Sequence, residues 1–448
     1  MFKPKVLEYF STVEDIDFNR NKIKSLHHQK LEKLIIYCYK NVPYYQDVLE
    51  DAQVVKNKNN ICVQLENFSK IPVLTKEQVR EHFHQLQSRD SSKRKTYRNS
   101  SGGSTGKPVV IIQDETYRNW NWANKLYYAS MAGKEFGEPE IKLWGSRRDI
   151  LQGNIGLKNR LINFIINRTL LNSFKMSERD IQKYFEIWNQ VKPKLIWAYV
   201  ESIYELAKFK NRFGIDVFSP HVIITTAGTL DEEMRIYIEE TFGCNVLNQY
   251  GSREEGAIAC ECPEKKGLHI FEHSHHVEVV DEQNQPLVGN HGEIVVTNLH
   301  NYSMPLLRYS LEDIGIMDDG ECACGRKFKK LSEVTGRRMS HFINPNGDII
   351  HGLFFTHMFY YKDWIHKFKV VQEALDHIVI KIVAYGDPNS EDLDTFSENV
   401  KQVMGDECQV DFIFLKDLTP SDSGKFLFTE SKVRNKRHLI RSGDKNGI

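Results

Sequence analysis

Neither sign of charge is in excess along this chain: 60 Lys and Arg face 60 Asp and Glu. No chain-wide field therefore favours nucleic acid or an anionic membrane, and an anionic ligand must be held by local groups. A long uncharged apolar run is also missing. The most apolar stretch, from Leu157 to Phe174, carries Lys158, Arg160 and Arg168 and is too charged to span a bilayer. The opening residues, Met1-Phe2-Lys3-Pro4-Lys5-Val6, lack the apolar core of a secretory signal. Cysteine is scarce, with eight in 448 residues, too few for a disulfide framework. Four of them fall in two pairs, which reads better as metal ligation in a reducing cytosol. Internal repeats and low-complexity tracts are absent. These absences predict a soluble, cytoplasmic protein.

The chain is well supplied with core-forming residues, 25 Phe and 19 Tyr among them. At about 100–200 residues per domain, its length predicts two or three domains. Its most informative segment is Asn99-Ser100-Ser101-Gly102-Gly103-Ser104-Thr105-Gly106-Lys107-Pro108, followed by the strand-like Val109-Val110-Ile111-Ile112. Glycines let several backbone N–H groups converge, and the hydroxyls with Lys107 add donors and positive charge, as a polyphosphate requires. The spacing does not match the Walker loop. Taken alone, the segment is as compatible with a mobile Gly/Ser loop as with a phosphate loop.

Apolar residues recur at helical spacing from Asp17 to Tyr39, and Asn41-Val42-Pro43-Tyr44-Tyr45 ends that helix. Thr75 caps a second helix after Pro72-Val73-Leu74. Helices are predicted over Thr116–Met131, Ser177–Gln190 and Glu201–Phe213, alternating with short apolar runs such as Leu195-Ile196-Trp197 and Val222-Ile223-Ile224. That alternation predicts an α/β layer with a mixed or largely parallel sheet. After about Gly267 short alternating runs take over, His276–Val280 and Gly292–Thr297 among them, and predict a β-rich subdomain. From about Gly336, strands at Lys369–Val371 and Ile378–Val383 with a helix over Ser390–Met404 predict a small separate α+β domain. The aromatic segment holding Trp120, Trp122, Tyr127 and Tyr128 reads first as core and second as a pocket lining.

Several short elements follow the glycine loop in order. Tyr250-Gly251-Ser252-Arg253-Glu254 sets an aromatic beside a glycine turn with a carboxylate four residues on. An aromatic can stack on a purine, and a carboxylate can hold the magnesium that accompanies ATP. Arg308-Tyr309-Ser310-Leu311-Glu312-Asp313 offers an acid to two ribose hydroxyls. Gly336-Arg337 stands at the apparent domain junction, and Ser423-Gly424-Lys425 lies in a loop after Pro420. Singly, each reads more readily as a surface turn or a solvated charge.

In this order the set resembles the adenylate-forming superfamily and, within it, the phenylacetate–coenzyme A ligase family with its relatives in capsular polysaccharide biosynthesis. The resemblance runs from Asn41-Val42-Pro43-Tyr44-Tyr45 and Pro72-Val73-Leu74-Thr75-Lys76, through the glycine loop, to the terminal lysine. It implies a large, multi-layer N-terminal domain over residues 1–335 with a β-rich subdomain. A hinge at 336–340 and a small, mobile α+β domain over 341–448 would follow. It implies two half-reactions: a carboxylate attacks the α-phosphorus of ATP to give an acyl-adenylate, and an acceptor thiol, commonly that of coenzyme A, displaces AMP. Ser101, Gly102, Gly103, Ser104, Thr105, Gly106 and Lys107 would then hold phosphates. Ala227, Gly228, Tyr250, Gly251, Ser252, Asp313 and Arg337 would complete the ATP site. Glu254 would bind magnesium, and Lys425 would be the catalytic lysine. Two alternatives stay open. One is transfer to an amine, sugar or carrier in surface-polysaccharide synthesis; the other is a nucleotide-binding protein without ligase activity. A homodimer is also left open.

Three positions depart from the family pattern: Arg253 replaces a small polar residue, Glu312 replaces the glycine before the aspartate, and Gly336-Arg337-Arg338-Met339-Ser340 lacks the common acidic pair. They bear on the hinge and the acceptor rather than on ATP binding. A separate feature is Cys260-Glu261-Cys262 with His269, then Cys322-Ala323-Cys324-Gly325. Cys262, His269, Cys322 and Cys324 are the candidate ligands of a structural zinc, with Cys260 in reserve for His269. The alternative is ordinary buried cysteines. His273, His275 and His276 read as strand residues or pocket lining.

Overall fold

The computed structural model describes residues 4–56, 61–100, 109–145, 157–335, 341–359, 362, 364–418 and 429–433. Residues 101–108, the junction 336–340 with Arg337, and Lys425 lie outside the described residues. After a first helix over Pro4–Glu14, the long helix α1 (Arg20–Asn41) starts where Asn19 Oδ1 accepts the Lys22 amide at 3.1 Å. It buries Ile23, Leu31, Leu34, Ile35 and Cys38 along one stripe, and ends just before Pro43, whose nitrogen has no hydrogen to donate. Thr75 forms a capping box with Gln78 at the head of the next long-range anchor, Lys76–Glu81.

One sheet organises the molecule. Its strands in chain order are β1 (Glu140–Trp144), β2 (Arg168–Asn172), β3 (Leu195–Tyr199), β4 (Val222–Thr226), β5 (Asn245–Ser252), β6 (Gly256–Glu261), β7 (Leu268–Ile270), β8 (His275–Val280), β9 (His291–Asn298), β10 (Tyr309–Asp318) and β11 (Lys330–Thr335). Across the sheet they run β8-β9-β10-β11-β7-β6-β5-β4-β3-β1-β2. From β2 to β5 every pairing is parallel, and from β5 to β8 every pairing is antiparallel. The change falls on β5.

Helices cover both faces of the parallel half. On one side lies α2 (Glu115–Met131), capped by Asp114, whose carboxylate accepts the Tyr117 amide at 3.0 Å. Trp120, Tyr127 and Tyr128 of α2 pack with Leu195, Trp197, Ile224 and Leu247. On the other side lie α3 (Glu178–Val191), α4 (Val200–Phe213) and α5 (Glu232–Phe242), which pack on Ile141, Leu143, Ile196, Ala198 and Val246. Odd and even residues of each strand thus serve different helices, as the period of two demands. The predicted helices and strands of this half are present, and the β-rich texture after Gly267 is the antiparallel half of the same sheet.

Beyond residue 341 the chain builds a second layer. The hairpin β12 (His341–Ile343) and β13 (Ile349–His351) precedes β14 (Ile365–Ala374), β15 (His377–Ala384), β16 (Gln409–Phe414) and β17 (Thr429–Ser431). The last four form a sheet in the order β16-β15-β14-β17, backed by α6 (Ser390–Met404). This layer touches the large sheet's neighbourhood directly. Ile349 and Ile350 pair with Met176 and Lys175, and Phe174 and Tyr199 share a buried cluster with Phe342, Ile350 and Phe354.

The histidines singled out in the sequence are core groups. His275 contacts the Glu255 carbonyl at 2.8 Å, His273 contacts Asn124 Oδ1 at 2.8 Å, and His27 from α1 meets His276 at 2.9 Å. Burial holds His275 down at about 4 and His27 and His276 down at about 3, the last two also feeling neighbouring positive groups. In an unfolded chain these imidazoles take a proton near pH 6.5. The unfolded state therefore binds more protons between pH 6.5 and about 4, and the stability present above pH 6.5 is lost on acidification. Each histidine adds a slope of up to about 1.4 kcal/mol per pH unit in that window. Denaturant unfolding of the full chain at pH 7.5, 6.0 and 5.0 should show a steadily falling free energy. A flat profile would show that the three are not buried neutral.

Candidate active site

The carboxyl end of β5 gathers most of the described candidates. Here the register against β6 slips by one residue between Tyr250 and Gly251, a bulge that turns the chain away from the ladder. Gly251 is required at that point, because a Cβ would collide with the Gly256 carbonyl of the returning strand. The Tyr250 hydroxyl donates to Asp313 Oδ2 at 2.9 Å, so the candidate purine-stacking ring and the candidate ribose acid come together from β5 and β10. Ser252 Oγ accepts the Glu255 amide at 3.0 Å and closes the turn.

Glu254 is nearly buried, and Tyr309 donates to its Oε1 at 3.3 Å. Its neighbour Glu255 is buried deeper, and burial, then the Glu254 charge, raise its carboxyl pKa well above the ordinary range. Burial thus favours the neutral form of Glu255. The Glu254 and Arg253 carbonyls accept Gln113 Nε2 at 2.8 and 3.0 Å, and Asn99 Nδ2 reaches the Arg253 carbonyl at 3.1 Å. Asn99 and Gln113 sit on Thr96–Ser100 and Val110–Asp114, the antiparallel pair that flanks residues 101–108. The stems of the glycine segment are therefore pinned to the Glu254 turn. Arg253, unusual at its position, sends Nη1 to the Ser100 carbonyl at 3.4 Å.

Ala227 and Gly228 follow β4, the parallel neighbour of β5. Ala227 takes φ of +60°, and a Cβ on Gly228 would run into the Glu201 carboxylate at the head of α4. Glu312, which stands in place of a glycine, adopts φ of +61°. That is the backbone region glycine favours, and its carboxylate bonds Lys76 Nζ at 2.7 Å. The missing glycine is thus accommodated rather than bypassed, and Asp313 stays beside Tyr250.

The second constellation lies further along the antiparallel half. Cys262 follows β6, His269 sits on β7, and Cys322 and Cys324 lie in the loop between β10 and β11. One ligand atom from each lies within 4.8 Å of all the others. Cys262 Sγ is 3.6 Å from Cys322 Sγ, and Cys324 Sγ is 3.4 Å from His269 Nε2. Around a tetrahedral zinc, two thiolates stand about 3.8 Å apart, and a thiolate and an imidazole nitrogen about 3.5 Å. Burial holds His269 down at about 4, a neutral ligand, and pushes the Cys262 thiol up to about 12 in the absence of a cation. Cys260 stays in the apolar core, outside the group.

The chain's relatives can now be set beside this geometry. The CapK C-terminal domain family matches residues 342–432. CapK of Staphylococcus aureus is 23% identical over 92% of this chain and 90% of its own. Phenylacetate-coenzyme A ligase of Thermus thermophilus is 26% identical over 71% of each chain. This chain is a homologue of CapK and of the phenylacetate–coenzyme A ligases. Its fold is that of 2-hydroxyisobutyryl-CoA ligase, solved with 2-HIB-AMP and CoA in the thioesterification state. The TM-score is 0.60 over 92% of this chain and 91% of that one, at 16% identity. An open conformation of the same ligase matches with a TM-score of 0.56. No helix among the described residues is long and apolar enough to cross a membrane.

Of the aromatic segment, Trp120, Tyr127 and Tyr128 are core and Trp122 lines a pocket, whose basic residues escaped the sequence. A cavity of about 140 Å³ under α2 is lined by Lys125, Lys142 and Arg168 together with Trp122, Trp144 and Trp197. Glu140-Ile141-Lys142-Leu143-Trp144 alternates like a strand with one wet face. The face bearing Lys142 is instead covered by α2, and only the helix register, with Trp122, Lys125, Leu126 and Ala129 three and four apart, hinted at it.

Proposed function

We propose that the chain is an ATP-dependent, AMP-forming carboxylate ligase that passes an acyl group to a thiol, coenzyme A first among acceptors. The grouping of Tyr250, Asp313 and Glu254 where β5 changes its pairing carries this reading, supported by the homology to coenzyme A ligases. Open α/β sheets bind ligands beyond the carboxyl ends of their strands, where the strand order or sense changes. Tyr250 would stack on adenine while its hydroxyl steadies Asp313 for the ribose hydroxyls. Ala227-Gly228 and Gly251-Ser252 would flank the nucleotide with backbone. Ser101–Lys107 would hold the β- and γ-phosphates. Magnesium, which Glu254 is suited to hold through a hard carboxylate oxygen, would draw charge from the phosphate oxygens.

In the first half-reaction a carboxylate oxygen of the acid bonds to the α-phosphorus as the bond to the bridging oxygen of pyrophosphate breaks. In the second, the acceptor sulfur bonds to the acyl carbon, its proton passes to solvent, and the bond to AMP breaks. Both steps gather negative charge on phosphate and acyl oxygens, so preorganised cations carry most of the catalysis. Lys425 would supply one in the first step, and Arg337 would stand near the ribose. Residues 336–340 would serve as the hinge that moves 341–448, and Lys425 with it, between the two steps. The Cys262, His269, Cys322 and Cys324 group would hold a structural zinc, closed by four protein ligands and so remote from the chemistry.

A second reading is favoured by one observation. CapK aligns along nearly the whole chain and its C-terminal domain family covers 342–432, whereas the phenylacetate ligases align over 71%. The acyl-adenylate would then go to an amine, a sugar or a carrier in surface-polysaccharide synthesis. Pyrophosphate exchange with a panel of carboxylic acids tests the shared first step. Exchange should depend on an acid, and Lys425→Ala should lower it by on the order of 10²–10³ while leaving ATP binding in place. Thioester formation from preformed acyl-adenylate should suffer less. ATP binding without exchange for any acid would leave a nucleotide-binding protein.

Metal analysis gives the zinc expectation. Protein made with adequate zinc should carry about one per chain, and Cys322→Ser should lower zinc content and thermal midpoint together. Zinc-free protein with full stability would return these cysteines to ordinary packing.

A further inference from the structure

The cavity under α2 has an electrostatic make-up that an apolar acid does not explain. Its single carboxylate among the lining residues, Glu140, is already paired with Arg168 and, at 3.4 Å, with Lys134 Nζ. Lys125 and Lys142 are left over. Among the described residues neither Nζ has a hydrogen bond or ion pair, and Lys142 Nζ lies over the Trp144 ring, 4.0 Å from its centroid. Two lysine side chains are thus held half-buried between aromatic walls, beside a guanidinium, and the described residues supply no carboxylate to them beyond Glu140. Burial first, and then the like charge of Arg168, pulls Lys125 down to about 8, and Lys142 is lowered further by burial and by both neighbours. Unpaired cations in such surroundings are costly unless a ligand supplies the missing charge.

Position links the cavity to the reaction. Trp144 ends β1 and Gln249, also in the lining, immediately precedes Tyr250 on β5. Cross-strand pairing sets Leu143, Ala198, Thr225 and Asn248 in one row, and Trp144, Tyr199, Thr226 and Gln249 are the next residues at the carboxyl ends of the parallel strands. Lys142 points to the same face two residues earlier, about 7 Å deeper along the strand. A small molecule entering from the nucleotide end would therefore present one end near Tyr250 and the other to Lys125 and Lys142. The cavity is well under the roughly 300–1,000 Å³ of a drug-sized site, which restricts it to a short acid.

Resting on the ligase reading above, we infer that the acid this chain activates carries a second anionic group, bound between Lys125 and Lys142 beneath α2. Matched pairs in the pyrophosphate-exchange assay test it: butyrate against succinate, pentanoate against glutarate, and benzoate against isophthalate. At least one dianion should exceed its monoacid partner tenfold or more in kcat/KM. Lys142→Met and Lys125→Met should each collapse that ratio at least tenfold, and Lys142→Arg should keep most of it. A preference for monoacids in every pair, or a ratio that survives both methionine variants, overturns the inference while leaving the ligase intact. Exchange with no acid at all is the failure of the ligase reading. Calorimetric titration of the same dianions into the full chain then decides the pocket alone: binding weakened tenfold by Lys125→Met supports it, and no lysine-dependent binding overturns it.

Discussion

Strand β5 is hydrogen-bonded in parallel to β4 on one side and antiparallel to β6 on the other, and the rest of the molecule is arranged around that seam. Parallel strands need crossover helices, which set α4 and α5 on one face and leave strand ends open at one edge. Antiparallel strands return at once, so β6 brings its own start back beside the end of β5. The bulge at Tyr250 and Gly251 resolves the conflict between the two geometries. Its products are the residues that matter: an aromatic ring turned out of the ladder, a tight glycine contact, and the buried Glu254 in the turn between the strands. Asp313 arrives from β10, with β6, β7 and β11 lying between it and β5, to meet Tyr250.

Apolar cores lie on both sides of the same seam. The parallel half is held by apolar layers on both faces, and its helices begin at side-chain caps such as Asp114, Ser177 and Asp231. The antiparallel half packs Ile258, Ile270, Val279, Ile294 and Val296 with Leu31, Leu34 and Ile35 of α1, and adds polar ties: the His27–His276 contact, the Arg308–Glu278 pair at 2.9 Å, and the sulfur-rich group at Cys262. Arg326, just beyond that group, bonds the Tyr127 hydroxyl at 3.0 Å, which in turn donates to Asp17 at 2.8 Å. The loop holding Cys322 and Cys324 is thereby tied to α2 and to the residues before α1. A cation at the four ligands would fix the edge of the half that delivers Asp313.

Much of this was legible in the residues. Thr75 marks its helix because its side chain accepts the Gln78 amide, which nothing else in the first turn can. The run Val222-Ile223-Ile224 reads as a strand buried on both faces because it has no polar member. The cysteine pairs and His269 were grouped from spacing, and the fold brings those four together while leaving Cys260 in the core. What was not legible depended on partners remote in sequence. Nothing local says that β5 changes pairing sense, that Glu312 takes a left-handed backbone, or that Lys142 lies under a helix. An alternating strand shows which residues share a face, not what covers it.

The central claim is that this seam assembles a site in which an acid attacks the α-phosphorus of ATP. Isotope transfer reads that bond directly. The chain is incubated with MgATP, an acceptor and an acid labelled with ¹⁸O in its carboxylate, and the phosphate-containing products are weighed by mass spectrometry. The account predicts one ¹⁸O in AMP and none in pyrophosphate. Label in inorganic phosphate with release of ADP would place the attack on the γ-phosphorus and contradict it.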